Sequence, residues 1–147
     1  FIIQSGDSGE ADEHGYRPAK GEQVRRIPLE VGLKGQKQAL YGETIDEARK
    51  VGTVSRIPFQ ADGTISMARK EYDNDSASSQ FFLLLFESDM TPAGKNFLDG
   101  RYGSFGYTVS GKEFLRKIKL GDIITSVKVL DGIDKLQRPA AALAGAK

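Results

Sequence analysis

The chain has 147 residues, no cysteine and one histidine, and its 21 basic side chains nearly cancel 20 acidic ones for a net charge of +1. That length suits one domain able to bury a core. Lack of cysteine excludes disulfides, thiolate chemistry and sulfur-bound zinc. The lone His14 argues against a histidine-rich metal centre or a Ser-His-Asp triad, and a balanced charge offers no basic field for nucleic acid. The longest apolar run, Phe81 to Phe86, is far short of the roughly 20 residues that span a bilayer.

In chain order, the sequence opens on Phe1, Ile2 and Ile3 without an initiator methionine, which reads as a strand already under way with upstream chain out of view. No targeting signal is legible there. Ile27, Leu29, Val31 and Leu33 alternate with Pro28, Glu30, Gly32 and Lys34, the period of a strand with one buried face. Pro28 has no amide to donate and places that strand at an edge or a bulge. Thr44 to Glu47 has capping-box form and predicts one or two helical turns before Gly52. After the Asp62–Gly63 turn, Ile65 and Met67 alternate with Ser66 and Ala68. The continuous run from Phe81 to Phe86 predicts a strand buried on both sides.

Phe105, Tyr107 and Val109 alternate again after Gly103. Ser110 to Glu113 repeats the capping-box form, and Phe114, Leu115 and Ile118 make an apolar stripe that Gly121 ends, predicting a helix. Ile123 to Val129 supplies a last strand, and the Ala-rich tail 137–147 reads as a flexible exit. Many short strands, 17 glycines and few helices indicate a mainly β fold, an antiparallel barrel or sandwich. Periodicity names no function.

Four ordered motifs do. FIIQSGD at residues 1–7 resembles the F-x-x-Q-G-G-D stretch of cyclophilins, the cyclosporin-binding peptidyl-prolyl isomerases. GTISMA at 63–68 is similar to G-x-L-S-M-A, SSQFF at 78–82 to G-S-Q-F-F, and LDGRYGSFG at 98–106 to L-D-G-x-H-x-x-F-G. The resemblance covers residues 1–136. It implies a closed antiparallel β-barrel with one or two flanking helices, whose N-terminal part would lie outside this chain. The insert at about 8–62, the phrase from Tyr72 to Gln80 and Phe105–Tyr107 resemble the plant and algal thylakoid-lumen branch. That branch implies a chloroplast thylakoid-lumen location and a lumenal assembly partner such as photosystem II.

The family's chemistry is rotation about an X-Pro bond in proline-containing polypeptides, which needs neither cofactor nor metal. Carried over by position, Phe1, Ile2, Phe82 and Leu98 would line the proline pocket, with Phe97 beside them. Gln4 would hold the substrate backbone and Gln80 would order the polar side. Ala68 and the backbone around Arg69 would form a groove wall that pairs with a peptide as an added strand does.

Three departures stand out. The family arginine falls upstream of Phe1, its histidine is Tyr102, which keeps a ring and a hydroxyl and with Gln4 and Gln80 makes up the catalytic set the resemblance implies, and the tryptophan before L-D-G is Phe97. Loss of the indole donor predicts weak cyclosporin binding. Arg101 does not match the arginine position. The loop from Ser88 to Asn96 is longer than in a minimal member.

Blander readings stand beside these. Tyr102 reads equally as a packing substitute, Gln4 as a turn residue, Phe81 and Phe82 as plain core, and His14 as a solvated loop residue. The charged run from Ala68 to Asp75 reads first as a solvated loop. Two functions compete: a peptidyl-prolyl isomerase of reduced activity, and a cyclophilin-fold scaffold that has lost most catalysis.

Overall fold

The computed structural model describes residues 1–7, 11–12, 15–16, 23–85 and 95–136, and His14, most of the loop 88–96 and the tail 137–147 lie outside the described residues. Its strands are β1 (Ile2–Ser5), β2 (Ala11–Asp12), β3 (Gly15–Tyr16), β4 (Glu30–Gly32), β5 (Ala39–Tyr41), β6 (Thr64–Met67), β7 (Phe81–Leu84) and β8 (Ser104–Tyr107). One short helix, α1 (Lys112–Leu115), and a single 3-10 turn, Ile133–Lys135, complete the described elements. The protein is mainly β, as the glycine and β-branched content predicts. Its principal sheet runs β1-β7-β6-β8, antiparallel throughout and open among the described residues, with β2–β3 and β4–β5 as separate ribbons.

The predicted alternation at 27–34 holds. Leu29, Val31 and Leu33 are buried and join Ile45 in one core cluster, with Leu40 packed against it. Regular pairing is confined to β4, with isolated bridges from Ile27 to Ala77 and from Leu33 to Ser55. The Thr44 capping box also forms: the Thr44 amide donates to Glu47 Oε2 at 2.7 Å and the Glu47 amide to Thr44 Oγ1 at 3.2 Å. The box opens a turn instead of a helix, because Arg49 enters the left-handed region at φ 55°.

Four expectations need correction. Along β7 only Phe82 and Leu84 are buried, while Phe81 and Leu83 are half-buried on the other face. On β6 the fully buried positions are Thr64 and Ser66, and the apolar Ile65 and Met67 face the half-covered side. The second capping box fails: Gly111, in the left-handed region at φ 79°, takes the N-cap position, and α1 is a single turn with only Leu115 buried. Residues 123–129 join no strand ladder among the described residues, and Ile123 and Val127 are 85% and 83% exposed. Apolar, β-branched composition supplies propensity only, and a strand also needs an edge to pair with. No helix among the described residues is long and apolar enough to cross a membrane.

Candidate active site

The register of the sheet assembles the polar part of the site. Gln4 lies opposite Phe82 across β1–β7, and Ser66 lies opposite Phe82 across β6–β7, so these residues share one face. Gln80, two residues before Phe82, belongs to the same side, and Gln4 Nε2 donates to Gln80 Oε1 at 2.7 Å. The close approach that permits this bond depends on Gly6. A Cβ there would sit 2.4 Å from the Ser79 carbonyl oxygen, and its φ of 89° is open to glycine.

Beside this amide pair lies an apolar cluster of Phe59, Phe82, Leu84 and Leu98, with Ala68 and Tyr102 packed against it. Phe59 stacks on Phe82 with centroids 6.0 Å apart, and the Tyr102 ring meets Phe82 edge-on at 5.5 Å. Such pairs hold ring orientation as well as burying area.

The loop 96–102 that brings Leu98 and Tyr102 here is held from several sides. Asn96 Oδ1 accepts from the Leu98 amide at 3.0 Å, and the Leu98 carbonyl accepts from the amides of Arg101 and Tyr102. Asp99 Oδ1 accepts from the Phe59 amide at 2.6 Å, tying this loop to the segment before β6. The Gly100 carbonyl accepts from the Ile45 amide, and a Cβ at Gly100 would lie 2.3 Å from Ile45 Cδ1. Arg101 turns outward and pairs with Asp46 at 2.9 Å, in keeping with its mismatch to the family arginine.

The structure thus brings together Gln4, Gln80, Phe82, Leu98, Ala68 and Tyr102. Phe1 and Phe97 stand at the periphery, each 61% exposed, and stack on one another at 5.7 Å with 14° between ring planes. Ile2 is 39% exposed and outside the buried cluster, on the face it shares with Gln4 and Leu84, at the edge of a hollow of about 640 Å³ that runs along β1 and also takes in Ile3, Gln4, Ser5, Phe81 and Leu83. A second hollow, of about 350 Å³, opens between β4 and β8 and reaches Tyr102 and Arg69. The Ala68 amide donates to the Gln80 carbonyl at 3.0 Å, tying the groove wall to the polar side.

Phe59 escapes sequence reasoning, and so do the side-chain roles of Asp99 and Arg69. Phe59 lies between strands with no periodicity to mark it. Asp99 is visible only as part of a motif. Arg69 enters the motif reading only through its backbone, yet its guanidinium lies 4.7 Å from the Tyr102 ring centroid. The charged run around it is not simply solvated: Asp73 pairs with Arg26 at 3.1 Å and Asp75 Oδ1 accepts from the Leu29 amide.

Two nearby groups have shifted titration. Burial, and then the negative charge of Asp99, raise the Tyr107 phenol above its usual value, and its hydroxyl donates to the Pro58 carbonyl at 2.8 Å. Glu47, beside the Ile45–Gly100 contact, is lowered by the Thr44 backbone amide first and then by the Asn74 side chain.

An antiparallel sheet thus carries a ring-lined apolar cluster with a glutamine pair at its rim. Cyclophilin type peptidyl-prolyl cis-trans isomerases match the chain over residues 1–138, and the chain belongs to that family. It is 43% identical over 145 residues to the chloroplastic peptidyl-prolyl cis-trans isomerase CYP38 of Arabidopsis thaliana, covering 99% of this chain and 33% of that protein. It is 41% identical over 136 residues to a protein named as a thylakoid lumen peptidyl-prolyl cis-trans isomerase in Synechocystis, covering 92% of this chain and 36% of the relative. A third, chloroplastic CYP37 of Arabidopsis thaliana, is 36% identical over 115 residues, 77% of this chain and 24% of the relative. The chain spans about a third of the length of the first two relatives.

Proposed function

We propose that the chain carries a peptidyl-prolyl cis-trans isomerase site acting on X-Pro bonds of proline-containing polypeptides. The observation that carries this reading is the Gln4–Gln80 hydrogen bond at the rim of the Phe82–Leu98 cluster, in a member of a family of isomerases. Rotation about the X-Pro bond is opposed by amide resonance, with a barrier of about 18–20 kcal/mol. Catalysis needs no covalent bond. It needs the proline ring held against an apolar surface and the flanking main chain held by hydrogen bonds, with the twisted state bound more tightly than either planar one.

In this reading Phe82 and Leu98 form the floor, and Phe1, Ile2 and Phe97 the outer wall. Gln4 holds the substrate backbone, Gln80 fixes the orientation of Gln4, and the Ala68–Arg69 segment flanks the peptide. Tyr102 closes the far side through its ring. The names of the relatives, chloroplastic in two cases and thylakoid lumen in the third, support a thylakoid-lumen location for this chain. A lumenal assembly partner such as photosystem II belongs to the same proposal and rests on the branch resemblance alone.

Exchange spectroscopy on an Xaa-Pro peptide, with the full-length protein, tests the reading. Exchange above the uncatalysed rate, lowered in Gln4→Ala, is the expected result. Background exchange by a protein shown to be folded would overturn it and leave the scaffold role.

A further inference from the structure

We propose that Arg69 is a positioning residue of this site, acting through Tyr102; the inference rests on the isomerase reading but its test does not depend on turnover alone. One guanidinium serves three carbonyls. Nε and Nη2 donate to the Arg101 carbonyl at 3.0 and 2.7 Å, and Nη1 donates to the carbonyls of Lys70 and Glu71 at 2.8 and 2.9 Å. The same group lies over the Tyr102 ring, 4.7 Å from its centroid, within the range of a cation–π contact.

These contacts carry the β6–β8 pairing on into the two loops beyond it, past the bond from the Met67 amide to the Gly103 carbonyl at 3.2 Å. Residues 69–71 lie just after β6, and residues 101–102 lead into β8. Arg69 bonds the carbonyl of the residue immediately before Tyr102 while covering the Tyr102 ring. The ring is therefore fixed between a guanidinium and Phe82, which it meets at an interplanar angle of 89°. Turning the ring would break the cation contact and the edge-on packing together. Where the family carries a histidine, this chain holds a tyrosine ring in place with a neighbouring arginine.

A planar fork is required for the task. Arginine presents five donors in fixed directions, whereas a lysine ammonium is a compact point charge and cannot span the three carbonyls while covering a ring. Other guanidiniums are engaged elsewhere: Arg101 is paired with Asp46, and Arg56 donates to the carbonyls of Leu33, Gln36 and Lys37.

The test compares Arg69→Ala, Arg69→Lys, Tyr102→Ala and the Arg69→Ala/Tyr102→Ala pair in the full-length protein. Aromatic NMR reads Tyr102 ring flipping in the free protein, and exchange with an Xaa-Pro peptide reads turnover. Ring flipping should become fast in Arg69→Ala and stay fast in Arg69→Lys. The loss in kcat should be about tenfold with KM changed far less, as for a misplaced contact in the twisted state. In the Tyr102→Ala background, removal of Arg69 should cost less than about twofold, since its effect runs through that ring. Unchanged ring dynamics in Arg69→Ala, or kinetic losses that multiply in the pair, would overturn the proposal. An inactive wild type would sink the isomerase reading while the ring measurement still decides the role of Arg69. Should Arg69→Ala fail to fold, Arg69→Lys alone supplies both measurements.

Discussion

The two faces of β7 are built from the same run of apolar residues and end in different states. On the front, Phe82 and Leu84 are buried beneath Phe59, Leu98 and Tyr102, which arrive on loops tied by hydrogen bonds at Asp99, Asn96 and Gly100. On the back, Phe81 and Leu83 are half-buried and line the hollow of about 640 Å³ shared with Ile118, Leu120, Ile123 and Ile124. Those four side chains are as apolar as the ones in front, yet no ladder holds their segment against the sheet among the described residues. Hydrophobicity selects a face. Fixed loops decide how completely it is covered, and here they cover the face that carries the proposed site.

That contrast can be broken most directly at Phe82. Phe82→Ala opens a void in the filled front cluster and is expected to cost about 3–5 kcal/mol in a denaturant titration. Equal costs for Phe82→Ala and Phe81→Ala would erase the distinction between the faces. Gly100→Ala, which forces a side chain onto Ile45 at a positive φ, is expected to cost about 2–4 kcal/mol by the same measurement. It should also weaken peptide binding by displacing Leu98 and Tyr102. Phe81→Ala on the looser back face should cost about 1–2 kcal/mol, in proportion to the smaller area it buries.

The smallest expected effect is electrostatic and sharpens the account of how the front loop is held. Glu47 is lowered by the amides that bind its carboxylate, so the folded state favours its ionised form. Its contribution is present above the unfolded value, near 4.5, and is lost as pH falls through the lower folded value. Thermal melts of Glu47→Gln against pH should lack that part of the acid slope and match the parent's shape at neutral pH. A slope identical to the parent's below pH 4.5 would show that the carboxylate is not what the turn depends on.

Local rules are more legible in this sequence than the competition between them. The alternation at 29–33 can be read because one face of that ribbon is buried against Ile45 and Leu40. The Thr44–Glu47 box can be read because its partners are three residues apart. The box at Ser110–Glu113 has the same form but contains Gly111 in a left-handed conformation, which moves the helix start by one residue. The strand expected at 123–129 pairs with neither outer strand of the open sheet, and whether an apolar segment finds its edge is something no local pattern reports. At the site, the strand residues Gln4, Gln80 and Phe82 could be placed by motif and parity. Phe59 could not, since it reaches Phe82 through a loop whose path is set by a bond to Asp99, 40 positions away.

The register shift between β6 and β8 carries one more consequence. Thr64 faces Tyr107 and Ile65 faces Gly106, but Ser66 faces Ser104, so Phe105 is the residue left over and stands exposed. This bulge reverses the parity of β8 partway along and undoes the simple alternation of Phe105, Tyr107 and Val109. Strand length there is therefore counted in odd and even steps: deleting the extra Phe105 would leave Ser104 and Gly106 in regular register with Ser66 and Ile65, so the bulge is the one place in the strand where a lost residue costs no later side chain its face.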